Sequence, residues 1–295
     1  MPPAAHAVFA VSDARWNTIT LTARLSVPRG ADALLILIHG LGGSSQSPYL
    51  TQANTLANQR GVATLRLNLR GADLRGEDFY HAGLSSDLHQ IVQSKLLSGY
   101  SQIFLLGYSL GGHVSLRFAS ETQDPRVRRI ATLCAPLDLD KGARCFDSPR
   151  AALYRGHVLA SLKRMYRAVA LRRGFDISAD EADRIRAIRD WDERIVAPRH
   201  GYASAADYYR QASAGPGLGQ ICVPTLIAYA RQDPIVPLET LTDALAARSS
   251  LVDTWELPRG GHIGFPHGQR RVAGQGAEHP SVDQALIDWL MADRS

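Results

Sequence analysis

The sequence feature that most constrains the fold is residues 103–112, where an apolar run passes into Gly107-Tyr108-Ser109-Leu110-Gly111. The run is apolar throughout, as in a buried strand, and a helix-compatible segment follows at once. A glycine two positions to each side of Ser109 permits the strained backbone of a tight strand-to-helix turn. The pattern indicates a nucleophile elbow, which presents a serine hydroxyl at the carboxyl end of a sheet. A glycine-rich turn without chemistry has the same local pattern, so the interpretation depends on the rest of the chain.

Strands and helices alternate on both sides of this turn. Residues 7–27 contain two strand-like pieces that predict an antiparallel start to a sheet, and residues 33–38 are apolar at every position, as a strand covered on both faces must be. Further strands are predicted at 62–68, 130–134, 223–230 and 252–257, and helices at 49–60, 85–97, 238–247 and 282–291. This alternation predicts an α/β fold with a doubly wound, mostly parallel sheet.

The alternation stops between residues 136 and 220, where the sequence contains helical patterns and loops but no convincing buried strand. We predict a helical insertion placed over the carboxyl edge of the sheet, where it would act as a cap. The expected organisation is therefore a first part of the core at 1–135, a helical cap insertion at 136–220 and a second part of the core at 221–295.

Composition excludes several classes of protein. The longest pure apolar run is far shorter than the roughly 20 residues that span a bilayer, and no Lys or Arg precedes the apolar stretch at the amino terminus, so neither a membrane helix nor a signal peptide is predicted. Cys134, Cys145 and Cys222 are an odd number without Cys-x-x-Cys spacing, which favours reduced thiols in a cytoplasmic protein and no metal site.

The net charge of +5 does not by itself indicate a nucleic-acid partner. Seven basic residues and no acidic ones lie between residues 150 and 175, and this one segment exceeds the whole excess of positive charge. A local patch needs a local explanation, so we predict no binding of nucleic acid.

A serine hydroxyl is a weak nucleophile until a base takes its proton, and a histidine oriented by a carboxylate is the usual solution. Asp233 follows the strand at 223–230, and His262 follows the strand at 252–257 through a glycine-rich turn. Both come after Ser109 in the order acid, then histidine, that this type of sheet uses. We therefore predict a Ser109-His262-Asp233 triad, with His267 and His279 as weaker alternatives because neither directly follows a strand.

A tetrahedral intermediate also needs hydrogen-bond donors for its oxyanion. The amide of Leu110, the residue after the nucleophile, is one candidate, and the amide of Leu41, in the turn after the strand at 33–38, is the second. His39 in the same turn is interpreted as structural. No cofactor and no metal are predicted.

In several of its segments the chain resembles the α/β-hydrolase superfamily and, within it, the YheT-type hydrolases, a group that includes vertebrate abhydrolase-domain proteins. The segments that carry the resemblance are HGLGGSSQSPY (39–49), NLRG with FYHAG (68–83), GYSLGG (107–112), FDSPRAALYRGHVLASLKR (146–164), IRDWDERIVAPRHGYASAADYYRQAS (188–213), ICVPTLIAYARQDPIVP (221–237) and GGHIGF (260–265). The resemblance implies a Ser-Asp-His hydrolase with Ser109, Asp233 and His262 at the matching positions. Two departures are the lack of the longer amino-terminal segment usual in the family, which could alter access to the pocket, and His113 where asparagine is more usual.

The segment ALYRGHVLASLKRMYRAVALRR, residues 152–173, predicts a basic amphipathic helix in the cap. Its apolar stripe consists of Val158, Leu159, Leu162, Met165, Tyr166 and Val169, and its basic residues off the stripe are Arg155, Lys163, Arg164, Arg167 and Arg172. Such a helix could make a weak contact with an anionic membrane surface. The interpretation we favour is that the stripe packs on the core and the basic residues are solvated or paired with Asp180, Glu181 and Asp183. Asp192 and the pair Tyr208-Tyr209 are interpreted as cap structure.

Together these features predict an enzyme that hydrolyses carboxylic esters through an acyl-enzyme. The expected partner is a small-molecule ester with an apolar acyl group of short or medium length. Thioesterase, lipase or acyltransferase chemistry on the same triad stays open, and so does a ligand-binding protein that keeps the hydrolase fold. The sequence leaves the oligomeric state undetermined.

Overall fold

A computed structural model of the chain describes residues 2–173, 177–265 and 281–292, and within these residues the fold is built on an eight-stranded sheet. The strands are β1 (Ala5–Asp13), β2 (Asn17–Ser26), β3 (Ala33–Ile38), β4 (Ala63–Leu67), β5 (Gln102–Tyr108), β6 (Val127–Leu133), β7 (Thr225–Ala230) and β8 (Val252–Leu257). Their order across the sheet is β1-β2-β4-β3-β5-β6-β7-β8. The pairs β1-β2 and β2-β4 are antiparallel and the other neighbours are parallel, so the predicted α/β fold with a mostly parallel sheet is confirmed.

The burial of the strands follows their position in the sheet. Every residue of β3 and of β7 is buried, because helices cover both faces of the central strands. In β1, at the edge, buried and exposed residues alternate over most of the strand, as expected for a strand with one solvated face. The continuous apolar runs therefore mark strands that are covered on both faces, and the carboxyl ends of the parallel strands β3, β5, β6, β7 and β8 lie along one edge of the sheet.

Four helices of the core lie between strands in the sequence, and the fifth follows the last strand. They are α1 (Pro48–Gln59), α2 (Ser86–Val92), α3 (Leu110–Glu121), α10 (Thr242–Ala246) and α11 (Val282–Met291).

Two predicted helices are wrong in their extent. The helix expected over 85–97 ends at Val92, because Ser94 takes an extended backbone, and a 3₁₀ turn follows at Lys95–Leu97. The helix expected over 238–247 divides into a 3₁₀ turn at Leu238–Thr240 and the short α10.

We call residues 136–220 the cap segment. Its described residues contain no strand, and its helices are α4 (Leu139–Phe146), α5 (Ala152–Arg173), α6 (Ala179–Arg184), α7 (Ile188–Trp191), α8 (Ala197–His200) and α9 (Ala205–Ala212), with a π-helical stretch at Asp192–Val196. The cap segment is bound to the core: the Ser161 hydroxyl of α5 donates to the Gly42 carbonyl at 2.8 Å, and His113 of α3 contacts the Ala212 carbonyl at 2.8 Å. The cap segment thus reaches the loop after β3 and the helix after β5.

The packing of α5 agrees with the favoured interpretation of its pattern. All six residues of the predicted apolar stripe are buried. Arg167 pairs with Asp183, and the Lys163 ammonium donates to the Asp183 and Ile185 carbonyls. Glu181 caps α6 through Ser178. In the described part of the chain no helix has the length and hydropathy needed to cross a bilayer.

Candidate active site

The turn between β5 and α3 has the strained geometry expected of a nucleophile elbow. Ser109 has a φ of 51° and a ψ of −118°, a conformation that residues other than glycine rarely adopt. The Ser109 amide donates to the Leu133 carbonyl of the next strand at 2.8 Å, which holds the turn against β6. A Cβ on Gly107 would collide with the Gly111 backbone, and one on Gly111 would collide with the Ile38 carbonyl. The close approach of three backbone segments therefore explains both glycines.

The structure brings Ser109, His262 and Asp233 together although 153 residues separate the serine from the histidine. His262 Nε2 lies 2.7 Å from Ser109 Oγ, and His262 Nδ1 lies 2.8 Å from Asp233 Oδ2. All three side chains are buried. The alternatives His267 and His279 lie outside the described residues. A single hydrogen-bonded chain thus runs from carboxylate through imidazole to hydroxyl.

The loop after β7 prepares Asp233 to act as an anion. Its Oδ1 accepts hydrogen bonds from the amides of Ile235 at 2.8 Å and Val236 at 3.0 Å, which leaves Oδ2 for His262. Burial acts to raise the pKa of Asp233, but the His262 contact and the two amides outweigh it and hold the pKa below its ordinary value. Asp233 is therefore ionised at neutral pH and keeps the proton of His262 on Nδ1.

The loop after β3 holds Leu41 between two anchored glycines. The Gly40 amide donates to the Tyr49 hydroxyl at 3.1 Å, and the Gly42 amide donates to the Tyr80 hydroxyl at 2.7 Å. Within the described residues the Leu41 and Leu110 amides donate no hydrogen bond, and both residues line the same cavity as Ser109. The residues of both predicted oxyanion donors therefore lie at the cavity that Ser109 lines, with amides that no described group occupies.

His39 has a structural place in this loop. Its Nε2 accepts a hydrogen bond from the Leu69 amide at 3.2 Å, and its Nδ1 lies 2.8 Å from the Gly40 carbonyl. Burial lowers the pKa of His39 to about 4, so the ring is neutral and bridges β3 to the loop after β4.

Cys134 is a neighbour of the triad that the sequence did not point out. Its Sγ and ligand atoms of Asp233 and His262 lie within 4.8 Å of one another. Burial raises the pKa of the Cys134 thiol well above its ordinary value, and the nearby Asp233 adds to the effect. Both nitrogens of His262 already have partners in Ser109 and Asp233, so the imidazole has no free ligand atom and this cluster does not fit a metal ion.

A cavity of about 760 Å³, including the space at its mouth, opens beside Ser109. Its walls are mainly apolar and come largely from the cap segment: Leu139, Phe146, Leu162, Ile188, Trp191 and Val196. Tyr154 of α5 packs edge-on against the His262 ring, with centroids 5.6 Å apart. The cap segment therefore shapes the cavity and also covers the imidazole.

The cavity also contains polar groups whose position the sequence did not predict. His81, Asp192, Tyr208 and Tyr209 all line it. No sequence pattern predicts these positions, because the residues lie on a loop and on short cap helices with no strand to fix their direction.

This fold, with a serine at a strained strand-to-helix turn beside an imidazole and a carboxylate, defines an α/β hydrolase. Residues 33–269 match the family model described as "alpha/beta hydrolase fold", and the chain belongs to that family.

Individual proteins resemble the chain in sequence or in fold. The YheT protein of Escherichia coli (strain K12), which carries an esterase name, is 31% identical over 265 residues, covering 87% of this chain and 76% of the relative. A monoacylglycerol lipase of Saccharomyces cerevisiae is 24% identical over 248 residues, covering 80% of this chain and 55% of the lipase. Among solved structures, the Pyrococcus furiosus esterase Pf2001 has a TM-score of 0.57 at 14% identity, covering 88% of this chain and 85% of that one, and shows the shared fold.

Proposed function

We propose that this α/β hydrolase cleaves carboxylic esters through an acyl-enzyme on Ser109. The observation that carries the proposal is the unbroken hydrogen-bonded chain from Asp233 through His262 to Ser109. The esterase and lipase names of its relatives support the same class of reaction.

In the first half of the proposed reaction, His262 Nε2 accepts the hydroxyl proton as Ser109 Oγ attacks the ester carbonyl. The tetrahedral intermediate collapses when its bond to the alcohol oxygen breaks, and His262 returns the proton to that oxygen. In the second half, His262 takes a proton from water, the resulting hydroxide attacks the acyl group, and the Ser109 hydroxyl is restored as the acid leaves. Asp233 stabilises the imidazolium at each stage without taking its proton.

The Leu41 and Leu110 amides are proposed to bind the oxyanion of both tetrahedral intermediates. Each such donor lowers a barrier of this kind by roughly 3 kcal/mol. The hydrogen bonds of Gly40 and Gly42 fix the loop beforehand, so little reorganisation is needed when the charge forms.

The walls of the cavity support an apolar acyl group of short or medium length as the substrate. Whether water, a thiol or an alcohol reaches the acyl-enzyme separates hydrolysis from transfer, and ester hydrolysis is the reaction proposed here. Turnover of p-nitrophenyl esters of graded chain length would define the preferred acyl group. We expect a maximum at short or medium chains.

Labelling with a fluorophosphonate probe tests the proposal against a protein that only binds a ligand. We expect the unmodified protein to be labelled and Ser109→Ala and His262→Ala to lose the label. Ser115→Ala is the matched control, because this buried serine lies on α3 and donates to the Gly111 carbonyl at 2.7 Å. Binding of an ester without labelling by the probe would indicate a ligand-binding protein and would contradict the proposal.

A further inference from the structure

A second carboxyl group faces the cavity of Ser109. Asp192 lies in the cap segment, at the first position of the π-helical stretch Asp192–Val196, and only 9% of the residue is exposed. It lines the same cavity as Ser109. Helices widened to the π form are rare and occur frequently at functional sites.

The hydrogen bonds of this carboxyl are not complete within the described residues. The Tyr209 hydroxyl donates to Asp192 Oδ2 at 2.7 Å, and no other hydrogen bond and no ion pair to the Asp192 carboxyl is present in that part of the chain. The charged groups around it are Asp147 and Arg189, and the Arg189 guanidinium pairs with Asp140 instead. Burial raises the pKa of Asp192 to about 7, and the charge of Asp147 adds to the rise.

A purely structural role does not require a carboxyl here. One acceptor oxygen satisfies the Tyr209 hydroxyl, and an amide side chain supplies such an oxygen at a smaller cost of burial than a carboxyl with no cationic partner. The Asp192 carboxyl therefore keeps hydrogen-bonding capacity beyond the bond to Tyr209, at the wall of a cavity that is otherwise mainly apolar.

Neutral donors belong to other residues that line the same cavity. The Gly83 amide donates to His81 Nδ1 at 3.1 Å, so the neutral imidazole of His81 carries its proton on Nε2. Burial lowers the pKa of His81 well below its ordinary value, and nearby His200 lowers it further, so this ring is neutral. The Tyr208 hydroxyl accepts from the Ala82 amide at 2.9 Å and keeps its own proton for donation.

The Asp192 carboxyl and neutral donors on the wall of one cavity match a group that both donates and accepts a hydrogen bond. A hydroxyl group has this property, whereas an alkyl chain would leave the polar groups without a partner. We propose that Asp192 is a specificity-determining residue that binds a hydroxyl group of the substrate, so that the preferred esters carry a hydroxyl on their acid or alcohol part. This inference rests on the proposed function, since it concerns the substrate of the same cavity.

Calorimetric binding to the Ser109→Ala protein tests the inference without turnover. Two matched pairs place the hydroxyl on either side of the ester: 2-hydroxyethyl butanoate against propyl butanoate, and methyl 6-hydroxyhexanoate against methyl heptanoate. We expect the hydroxylated member of at least one pair to bind about tenfold more tightly, the value of one good hydrogen bond. The pair that shows the preference identifies the side of the ester that enters this part of the cavity.

Variants in the Ser109→Ala background assign the preference to the carboxyl. Asp192→Asn, which keeps an acceptor oxygen, should reduce the preference about threefold, and Asp192→Leu should bring it close to one. Asp190→Asn is the control, because this carboxyl lies on α7 two residues earlier and outside the cavity lining; it should leave the preference unchanged. Should Asp192→Leu not fold, the smaller effect of Asp192→Asn still shows whether the carboxyl causes the preference for the hydroxylated ester.

Three results would overturn the inference. They are equal affinities within both pairs in Ser109→Ala, a preference that both Asp192 variants retain, and tighter binding of the cation 2-(dimethylamino)ethyl butanoate than of the hydroxyl ester. Failure of the proposed function is separate. In that case the unmodified protein would hydrolyse none of these esters, whatever the affinity ratio.

Discussion

Asp233 accepts three hydrogen bonds, and two of them come from the backbone of its own loop. In Asp233→Asn the amide oxygen can keep the two backbone bonds, but the side chain no longer carries the charge that stabilises the imidazolium. We therefore expect kcat to fall about 10⁴-fold with little change in the melting temperature. Steady-state hydrolysis of p-nitrophenyl butanoate measures kcat, and thermal melts measure the melting temperature. A loss in kcat below about tenfold would contradict the proposed role of Asp233.

Gly111 is the position at the elbow with the least room. An added Cβ would overlap the carbonyls of Ile38 and His39, and because both belong to the backbone they cannot turn aside. Gly111→Ala should lower the free energy of unfolding by about 3 kcal/mol or more, as expected when a buried site is overpacked. Urea unfolding measures this, with Gly99→Ala as the control because nothing lies within 4 Å of its Cβ position. Similar stabilities of the two variants would show that the elbow relaxes.

The three triad residues could be predicted from the sequence because each one follows a strand that local pattern identifies. The carboxyl ends of parallel strands meet at one edge, so topology alone brings Ser109, Asp233 and His262 close. Asp192 and Cys134 could not be found in this way. Asp192 faces the cavity only through the packing of short cap helices, and Cys134 approaches the triad through a backbone with a φ of 53° that no sequence pattern predicts.

Helix α5 contains a glycine, Gly156, at a position where an alanine side chain would fit. Gly156 lies in the exposed part of the helix, and nothing is within 4 Å of the position of an added Cβ. Gly156→Ala should raise the free energy of unfolding by about 0.5–1 kcal/mol, because alanine loses less backbone entropy in a helix. Urea unfolding at constant pH is the measurement, and a destabilised variant would indicate that α5 contacts another surface at this position.

Helix α5 and the short helices after it differ in how well the sequence describes them. The stripe of α5 recurs at helical spacing over several turns, so both its existence and its buried face follow from the pattern. Helices α6 to α9 have four to eight residues each, which is too short for a clear period. The predicted helix over 85–97 ends early for a different reason: the backbone of Ser94 is extended and interrupts the helix.

For the whole molecule, buried histidines link stability to pH. His39 has a pKa of about 4 in the folded protein against an ordinary value near 6.5, so below pH 6.5 the unfolded chain binds a proton that the folded chain does not. Stability contributed by the neutral ring is therefore present above pH 6.5 and is lost as the pH falls towards 4. The loss from His39 alone should be about 2 kcal/mol at pH 5.

Urea unfolding of the unmodified protein and of His39→Gln at pH 7.5 and pH 5 measures this linkage. Glutamine does not titrate, so the difference in unfolding free energy between the two pH values should be smaller in the variant. The buried His113, whose pKa is also lowered to about 4 by burial, supplies part of the slope that remains. Equal slopes in the two proteins would show that His39 is not a neutral buried group.

The proposed reaction depends on a covalent acyl group on Ser109, and mass spectrometry of the acid-quenched protein during turnover of p-nitrophenyl butanoate detects this intermediate. We predict a mass increase equal to one butanoyl group, located on the peptide that contains Ser109 and absent from Ser109→Ala. Turnover by the unmodified protein with no adduct at any quench time, or an adduct on another residue, would contradict acyl transfer through Ser109.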